Sequence, residues 1–321
     1  PVIGATIKEK STTNGTVSGS LLVSAGSTLN VGTTTGNKFG ALPYSTAGGA
    51  GTIRISSSAA TAEFPAGDFG LFFQANGGTT EYFTTAGNFS VPSVTAAPTS
   101  MPIQTYKNLI VSPTASYQIT MPNSDLEIFQ NMTVNGSTGT SDVALNDASQ
   151  KYLTVFGNLS VNGGRFRFKN TNVQTLNVYG DASVNNGATI DVSTSGSILH
   201  TFNLYGNLTV NGTVDLNANS DVNLNMIGST ATSILGTNAA ATFDIYKLNI
   251  NKGNSQAIVV DATMAGGLSS TQDSWLVLTN GTFRYSKGST ITLTSGSNVS
   301  YTIPSTAKLA VNNSAAIVNI G

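Results

Sequence analysis

One ten-residue pattern occurs four times in the middle of this chain, and it constrains the fold more than any other feature. The pattern reads apolar, any, apolar, Phe or Tyr, any, Asn or Asp, small or apolar, Ser or Thr, Val, Asn. The copies are LEIFQNMTVN (126–135), LTVFGNLSVN (153–162), LNVYGDASVN (176–185) and FNLYGNLTVN (202–211). The aromatic position recurs at steps of 27, 23 and 26 residues. A period near 25 residues indicates stacked units of one design.

Within each copy, apolar residues alternate with polar ones, as Leu126 and Ile128 and then Met132 and Val134 show. This is the period of a β-strand with one buried face. Such strands cannot bury that face alone, so consecutive copies must stack about 4.8 Å apart along the direction of the backbone hydrogen bonds. The sequence therefore predicts an all-β fold, a parallel β-helix (β-solenoid) with about 25 residues per coil, which we expect to be right-handed.

Copies stacked in register would align three columns of side chains, each of which would close a coil against its neighbours. The Asn that ends each copy is usually followed by Gly. Both residues tolerate the positive φ of a turn, so we expect an asparagine ladder at one corner. The expected columns are aromatic (Phe129, Phe156, Tyr179, Tyr205), aliphatic (Val134, Val161, Val184, Val210) and amide (Asn135, Asn162, Asn185, Asn211).

The strand after that corner carries charged residues at a constant spacing. Arg167, Asp191 and Asp215 follow one another at steps of 24 residues. In a stacked fold Arg167 should therefore lie over Asp191 on the outer face. As an exposed ion pair, it is expected to contribute only about 0 to 1 kcal/mol.

The composition restricts the classes of function. Charged residues make up 9% of the chain, against about 25% in typical soluble domains. The formal net charge is −1, so bulk electrostatics attract neither nucleic acid nor an anionic membrane. The chain has no Cys and one His, His200, which we interpret as structural. We accordingly expect no cofactor, no metal site and no nucleic-acid partner.

The organisation along the chain predicts one elongated fold in two parts. Residues 1–100 are interpreted as irregular N-terminal coils with an aromatic-rich section, and residues 101–321 as regular coils continuous with them. No run of about 18 apolar residues occurs, so no membrane insertion is expected. The strand pattern continues to Gly321, and since bare solenoid ends normally need caps, we expect the chain to be part of a longer protein.

Aromatic residues are concentrated between Glu63 and Val91. One interpretation is that they fill a wide or capped section of the core. The alternative is a surface platform on which sugars stack, with Tyr82 and Phe83 as the glycan contacts. Trp275, the only Trp, alternates with Val277 and is expected in the core.

Carboxylate chemistry is the enzymatic alternative, because right-handed β-helices include polysaccharide lyases and glycoside hydrolases. Hydrolysis requires two carboxyl groups about 5 to 9.5 Å apart across a cleft. The candidate pairs are Asp125 with Glu127, at alternate positions of one strand, and Asp191 with Asp215, on adjacent coils. Both pairs lie within regular repeats that lack the long loops needed for cleft walls, so we expect no catalysis.

Several longer segments resemble a known family. The segments YKNLIV, GNLSVNG, GNLTVNGTVDLN and FDIYKLNINKG are similar to repeats of very large secreted surface proteins of the Bacteroidota, including gliding-motility adhesins and other clients of the type IX secretion system. GGTTEYFTTAGNFSVPS (77–93) and YTIPSTAKLAVNN (301–313) are also similar to recurrent segments of that family. The resemblance covers most of residues 77–321. It implies export, display at the cell surface and an adhesive or filament-like role.

The sequence thus predicts an extracellular structural or adhesive stalk segment of a large bacterial surface protein. The expected partners are surface glycans or other cell-surface proteins, together with the remainder of a longer chain. The alternatives are a carbohydrate-active β-helix enzyme, either a polysaccharide lyase or a glycoside hydrolase, and a glycan-binding module.

Overall fold

In a computed structural model the chain is almost entirely parallel β-structure, a β-solenoid of about ten turns with about 25 residues per coil. This confirms the predicted fold class. The structure describes residues 6–7, 20–34, 46–65, 68–84, 86–95, 100–146, 151–293 and 301–320. The chain divides into two compact units: unit 1 comprises residues 1–157 with 163–166, and unit 2 comprises residues 158–162 with 167–321.

Unit 1 contains short strands and one helical turn. Its elements are β1 (Thr6–Ile7), β2 (Ser20–Leu22), β3 (Thr28–Thr34), β4 (Thr46–Gly48), β5 (Thr52–Ser57), α1 (Gly70–Phe73), β6 (Thr79–Phe83), β7 (Phe89–Ser90), β8 (Thr105–Tyr106), β9 (Asn108–Ser112), β10 (Gln118–Thr120), β11 (Leu126–Ile128), β12 (Met132–Asn135), β13 (Asp142–Ala144) and β14 (Tyr152–Val155).

A regular coil of unit 1 has three strands, and each pairs in parallel with its counterpart on the neighbouring coil. The first strand, β11, pairs with β8 and β14; the second, β12, pairs with β9; and the third, β13, pairs with β10. The three stacks enclose the core because apolar side chains alternate inward along each strand. Leu126 and Ile128, for example, are buried, whereas Glu127 between them is exposed.

The aromatic-rich section fills the core of unit 1. Phe64 packs edge-on against Phe69 and Phe73, with ring centroids 4.7 and 5.0 Å apart. Phe73 packs in the same way against Tyr106, at 5.2 Å. The turn of helix α1 carries Phe72 and Phe73 into this cluster. The interpretation of these aromatics as core filling is therefore confirmed.

Unit 2 repeats the three-strand coil. Its elements, preceded by β15 (Leu159–Phe168), which contributes residues to both units, are β16 (Thr175–Val178), β17 (Ala182–Val184), β18 (Ala188–Val192), β19 (Leu199–Leu204), β20 (Leu208–Val210), β21 (Thr213–Asp215), β22 (Asp221–Gly228), β23 (Thr232–Leu235), β24 (Thr242–Asp244), β25 (Lys247–Lys252), β26 (Val259–Ala262), β27 (Gly267–Ser269), β28 (Leu276–Tyr285), β29 (Thr290–Leu293), β30 (Ala307–Val311) and β31 (Ile317–Ile320).

The register in unit 2 stacks apolar residues directly on one another. Leu176 pairs with Phe202, Phe202 with Leu224 and Leu224 with Leu248, along the first strands of four coils. All four side chains are fully buried. Burying such large side chains contributes about 1.5 to 3 kcal/mol each, so these columns are the main source of stability.

Candidate functional site

A column of aromatic side chains lies at the corner between the first and second strands of the coils. In unit 1 its members are Phe129 and Phe156, whose rings stack with centroids 6.2 Å apart and planes 20° apart. Because Phe129 directly follows the buried Ile128 in an alternating strand, its ring lies on the solvent side. Phe129 is 36% exposed and Phe156 42% exposed. The column therefore lines an outer corner and does not fill the core.

In unit 2 the same corner carries two tyrosines. The rings of Tyr179 and Tyr205 stack with centroids 4.3 Å apart and planes 12° apart. On the next coil Gly228 approaches the Tyr205 ring so closely that an added Cβ would lie 3.2 Å from it. Burial and a hydrogen bond with the Tyr179 hydroxyl raise the pKa of Tyr205. The two hydroxyls thus lie side by side, and the ring of Tyr205 lies between Tyr179 and Gly228.

At this corner, polar side chains form hydrogen bonds that connect successive coils. Asn158 Oδ1 accepts the backbone N–H of Asp181 at 2.8 Å. Asp181 Oδ1 accepts the backbone N–H and the side-chain amide of Asn207 at 2.8 and 3.0 Å. Asn207 Oδ1 in turn accepts the N–H of Ser233 at 2.8 Å. These residues occupy the Asn-or-Asp position of the repeated pattern, and this role in the corner was not predicted.

The spacing of the repeat at this corner first changes on the coil next to the tyrosines. Leu204 pairs with Met226, and Leu208 pairs with Ile234. The step from Leu204 to Leu208 is four residues, whereas the matching step on the next coil, from Met226 to Ile234, is eight. The four extra residues widen the corner into a cleft of about 510 Å³. The cleft is lined by Tyr179, Gly180, Asp181, Tyr205, Gly206, Asn207, Gly228, Ser229, Thr230, Ala231 and Thr232.

The aliphatic column lies in the interior. Val161 pairs with Val184, and Val184 with Val210, along the second strands of unit 2. These three valines and Val134 of unit 1 have no exposed surface.

The Asn residues that end the copies lie at the surface, and Asn185 is joined to Asn162 there. The Asn185 amide donates to Asn162 Oδ1 at 2.9 Å. Asn211 Oδ1 instead accepts the backbone N–H of Thr237 at 2.7 Å. Asn135 is exposed.

A longer asparagine ladder occurs at a position that the sequence analysis did not single out. Asn203 donates to Asn177 at 2.9 Å, Asn225 to Asn203 at 2.8 Å, and Asn249 to Asn225 at 2.5 Å. All four side chains lie half-buried on the outer side of the first strands. The signal was present in the tripeptides LNV, FNL, LNM and LNI, each with Asn between two apolar residues.

The first candidate carboxylate pair lies exposed on one coil of unit 1. Asp125 Oδ1 accepts the backbone N–H groups of Lys151 and Tyr152 at 2.8 and 2.9 Å, which ties it to the next coil. Glu127 is exposed on the outer side of β11. Asp125 thus has a structural role in joining coils.

In the second candidate pair, Asp191 forms an ion pair with Arg167. Arg167 binds Asp191 through two hydrogen bonds, at 2.8 Å from Nε and 2.5 Å from Nη2. The pair is less exposed than predicted: the side chains are 21% and 12% exposed. Burial raises the pKa of Asp215, and the nearby Asp244 carboxylate raises it further against a hydrogen bond from the Asn217 N–H. Across the described ranges, no group of three or more His, Cys, Asp or Glu residues is arranged to hold a metal ion.

The two expected glycan contacts are not arranged as a surface platform. Tyr82 has no exposed surface, and its hydroxyl lies 2.8 Å from that of Tyr106 in the core. Burial and the neighbouring Tyr106 raise its pKa well above the ordinary value. Phe83 is half-buried, with the guanidinium of Arg54 4.3 Å from the centre of its ring. The alternation of inward and outward residues in β6 explains why adjacent aromatics lie in opposite environments.

The remaining single residues have structural roles. His200 is fully buried, and its Nδ1 accepts the N–H of Gln174 at 3.1 Å. Trp275 is 2% exposed, and its Nε1 donates to the Thr292 carbonyl at 2.9 Å, so its predicted core position is confirmed.

A lysine is buried near the tyrosine corner of unit 2. Lys252 has no exposed surface, and its ammonium group donates to the carbonyls of Tyr205 at 3.1 Å and Ile227 at 2.6 Å. Burial lowers its pKa to about 8. The repeated pattern does not predict this buried lysine, because none of its four copies contains a Lys.

This lowered pKa predicts a pH-dependent stability. Between about pH 8 and the usual lysine pKa near 10.4, the unfolded chain holds a proton that the folded chain has lost, so stability should rise with pH in this window. Relative to Lys252→Met, the wild-type protein should gain on the order of 2 kcal/mol from pH 7 to pH 10.5. Urea unfolding of both proteins at several pH values measures the difference. A constant difference across this window would contradict the buried charge.

No helix among the described residues is long and apolar enough to cross a membrane. Comparison of the chain with protein-family models, with curated proteins and with solved structures finds no match in any of the three.

Proposed function

We propose that this chain is a structural and adhesive stalk segment of a large bacterial protein at the cell surface, without catalytic activity. The β-solenoid fold is compatible with a structural or adhesive role. The observation that carries the proposal is that, within each unit, polar side chains join successive coils in addition to the backbone hydrogen bonds. A stalk needs such cohesion along the stack of coils.

The cohesion is dense in both units. In unit 1, Arg165 binds Asp142 of the preceding coil at 2.6 Å, and Arg54 binds Glu81 of the next coil at the same distance. In unit 2 the side-chain hydrogen bonds at the corner and the outer asparagine ladder each join several coils. Because each coil contacts only its neighbours, the stability of such a fold is the sum of these repeated contacts.

The environment of the carboxylates supports a role without catalysis. Asp125 and Asp191 both use their oxygens to bind groups on a neighbouring coil. An acid or base that is held in this way is poorly placed to exchange a proton with a substrate. The resemblance of the repeats to Bacteroidota surface proteins supports export and display at the cell surface, where glycans or other surface proteins are the proposed partners.

The absence of turnover is tested by incubating the purified chain with a panel of polysaccharides and following both binding and product release. We expect no product above that of a heat-denatured sample. The enzymatic alternative is favoured by one observation, the raised pKa of Asp215 beside Asp244. Product formation that disappears in Asp191→Asn or Asp215→Asn would establish that alternative and overturn the proposal.

The proposed location is tested separately. Antibodies raised against the purified chain should label intact, unpermeabilised cells of the source organism. Labelling only after permeabilisation would contradict display at the surface.

A further inference from the structure

We propose that the cleft at the tyrosine corner of unit 2 binds a neutral saccharide. This inference rests on the adhesive role proposed above and assigns a contact site to it. The site comprises Tyr179, Tyr205, Asp181 and the inserted segment 229–232. It differs from the surface platform expected at Tyr82 and Phe83, which the structure does not form.

The cleft exists because the repeat is broken here. On the preceding coils of unit 2 the corner passes from the aromatic position to the next strand in a short turn, as from Tyr205 to Leu208, and the following corner, from Lys252 to Val259, is longer again. The four extra residues place Ser229, Thr230 and Ala231 at the exposed rim beside the two tyrosines. The volume of about 510 Å³ lies within the range of small-molecule sites.

The polar groups in the cleft suit a ligand with many hydroxyls. Two tyrosine hydroxyls lie side by side and can each donate or accept a hydrogen bond. The Oδ1 atom of Asp181 holds Asn207, whereas its Oδ2 has no hydrogen-bond partner among the described residues. A carboxylate oxygen is an acceptor for sugar hydroxyls.

Thr232 supplies a second and independent observation. It is 7% exposed, lines the cleft, and its Oγ1 has no hydrogen-bond partner within the described part of the chain. A buried hydroxyl without a partner is destabilising, because it has lost its hydrogen bonds to water without replacement. If the inserted segment 229–232 shifts on binding, a ligand hydroxyl at the base of the cleft would form a hydrogen bond with the Thr232 Oγ1 atom.

The charge of the cleft selects against other ligands. Its lining contains no Lys or Arg and one carboxylate, that of Asp181. Phosphates, sulfates and acidic sugars would therefore meet a negative charge, and the nearby ammonium of Lys252 does not line the cleft but is held by the carbonyls of Tyr205 and Ile227. The two tyrosine rings cover each other's facing sides and Gly228 lies against the Tyr205 ring, so recognition should depend on the hydroxyls and edges more than on stacking against these faces.

The tyrosine hydroxyls are tested by measuring the binding of neutral oligosaccharides to the whole chain by titration calorimetry, with β-linked and α-linked glucose, mannose and N-acetylglucosamine oligomers as probes. We expect at least one to bind. Tyr179→Phe with Tyr205→Phe should weaken that binding at least fivefold, because the variant removes both hydroxyls that can hydrogen-bond the ligand. The phenylalanine pair of unit 1 shows that this stack forms without hydroxyls, so the variant should fold.

Matched controls separate the cleft from general effects. Tyr152→Phe changes a tyrosine that is 50% exposed in unit 1 and should leave binding unchanged.

A second variant tests the carboxylate of the cleft. Asp181→Asn retains an oxygen that can accept from Asn207 but removes the charge, and it should also weaken binding.

Equal binding by the Tyr179→Phe/Tyr205→Phe variant, loss of binding in Tyr152→Phe, stronger binding of acidic oligosaccharides, or no binding of any probe would each overturn the saccharide proposal. None of these results would affect the surface-labelling or turnover tests, so failure here is distinguishable from failure of the proposed stalk function.

Discussion

Replacement of Val184 by Asp is expected to lower the free energy of unfolding by about 4 kcal/mol, one of the two largest effects that we predict. Val184 has no exposed surface and is stacked between Val161 and Val210. A carboxylate at this position would be removed from water with aliphatic neighbours above and below it. The measurement is the midpoint of urea unfolding, followed by far-ultraviolet circular dichroism.

The adjacent residue provides the control. Ser183 lies on the outer side of the same strand and is half-buried, and its neighbours in register are Ser160 and Thr209. Ser183→Asp should change the free energy of unfolding by less than about 1 kcal/mol. Similar losses for both variants would show that the strand does not have one buried face.

Replacement of Arg167 by Met is expected to cost about 3 kcal/mol, because it leaves the Asp191 carboxylate largely buried without its partner. The two hydrogen bonds that it removes are charge-assisted and bidentate, which is the strongest arrangement of this kind. Changing Asp191 to Leu in the same protein should recover much of the loss, since no unpaired charge then remains. Urea unfolding of the two single variants and the double variant gives the coupling energy.

A second ion pair in the same unit serves as the comparison. Arg284 and Asp261 lie 2.6 Å apart, but the Arg284 side chain is 40% exposed against 21% for Arg167. The Arg284→Met variant should therefore lose less stability, because the more exposed guanidinium contributes less and the Asp261 carboxylate keeps the hydrogen bond from the Ser286 hydroxyl. An equal loss for both arginines would mean that burial does not govern these pairs.

The repeated pattern was sufficient to predict the fold class and the register within each unit. Period-two alternation tells which residues of a strand face inward, and it correctly placed Val184 and Trp275 in the core. The constant spacing of Arg167 and Asp191 was enough to predict their ion pair, since residues one coil apart must be neighbours in a parallel stack. The low solvent exposure of the two side chains could not be predicted from this spacing.

The candidate cleft depended on features that alternation does not describe. Corner residues lie between strands, so the pattern could not show that Phe156 and Tyr179 are exposed. In the sequence, 41 residues separate Tyr205 from Tyr246 of the next similar segment, but their pattern did not show whether they form a loop or a further coil. In the structure they contain a full coil, β22 to β24, with the four-residue insertion at its first corner.

The sequence by itself determined the stacking of like on like, because a repeat of about 25 residues with alternating polarity has only one way to bury its apolar faces. The tertiary structure alone decided which groups from different coils share an environment. The Tyr82 hydroxyl lies beside that of Tyr106 in the core, the Lys252 ammonium donates to the carbonyl of Tyr205, and Asp181 lines the cleft at the widened corner. The physical reason is that such contacts depend on turn lengths and inter-coil register, which are set by the packing of whole coils and not by the local pattern.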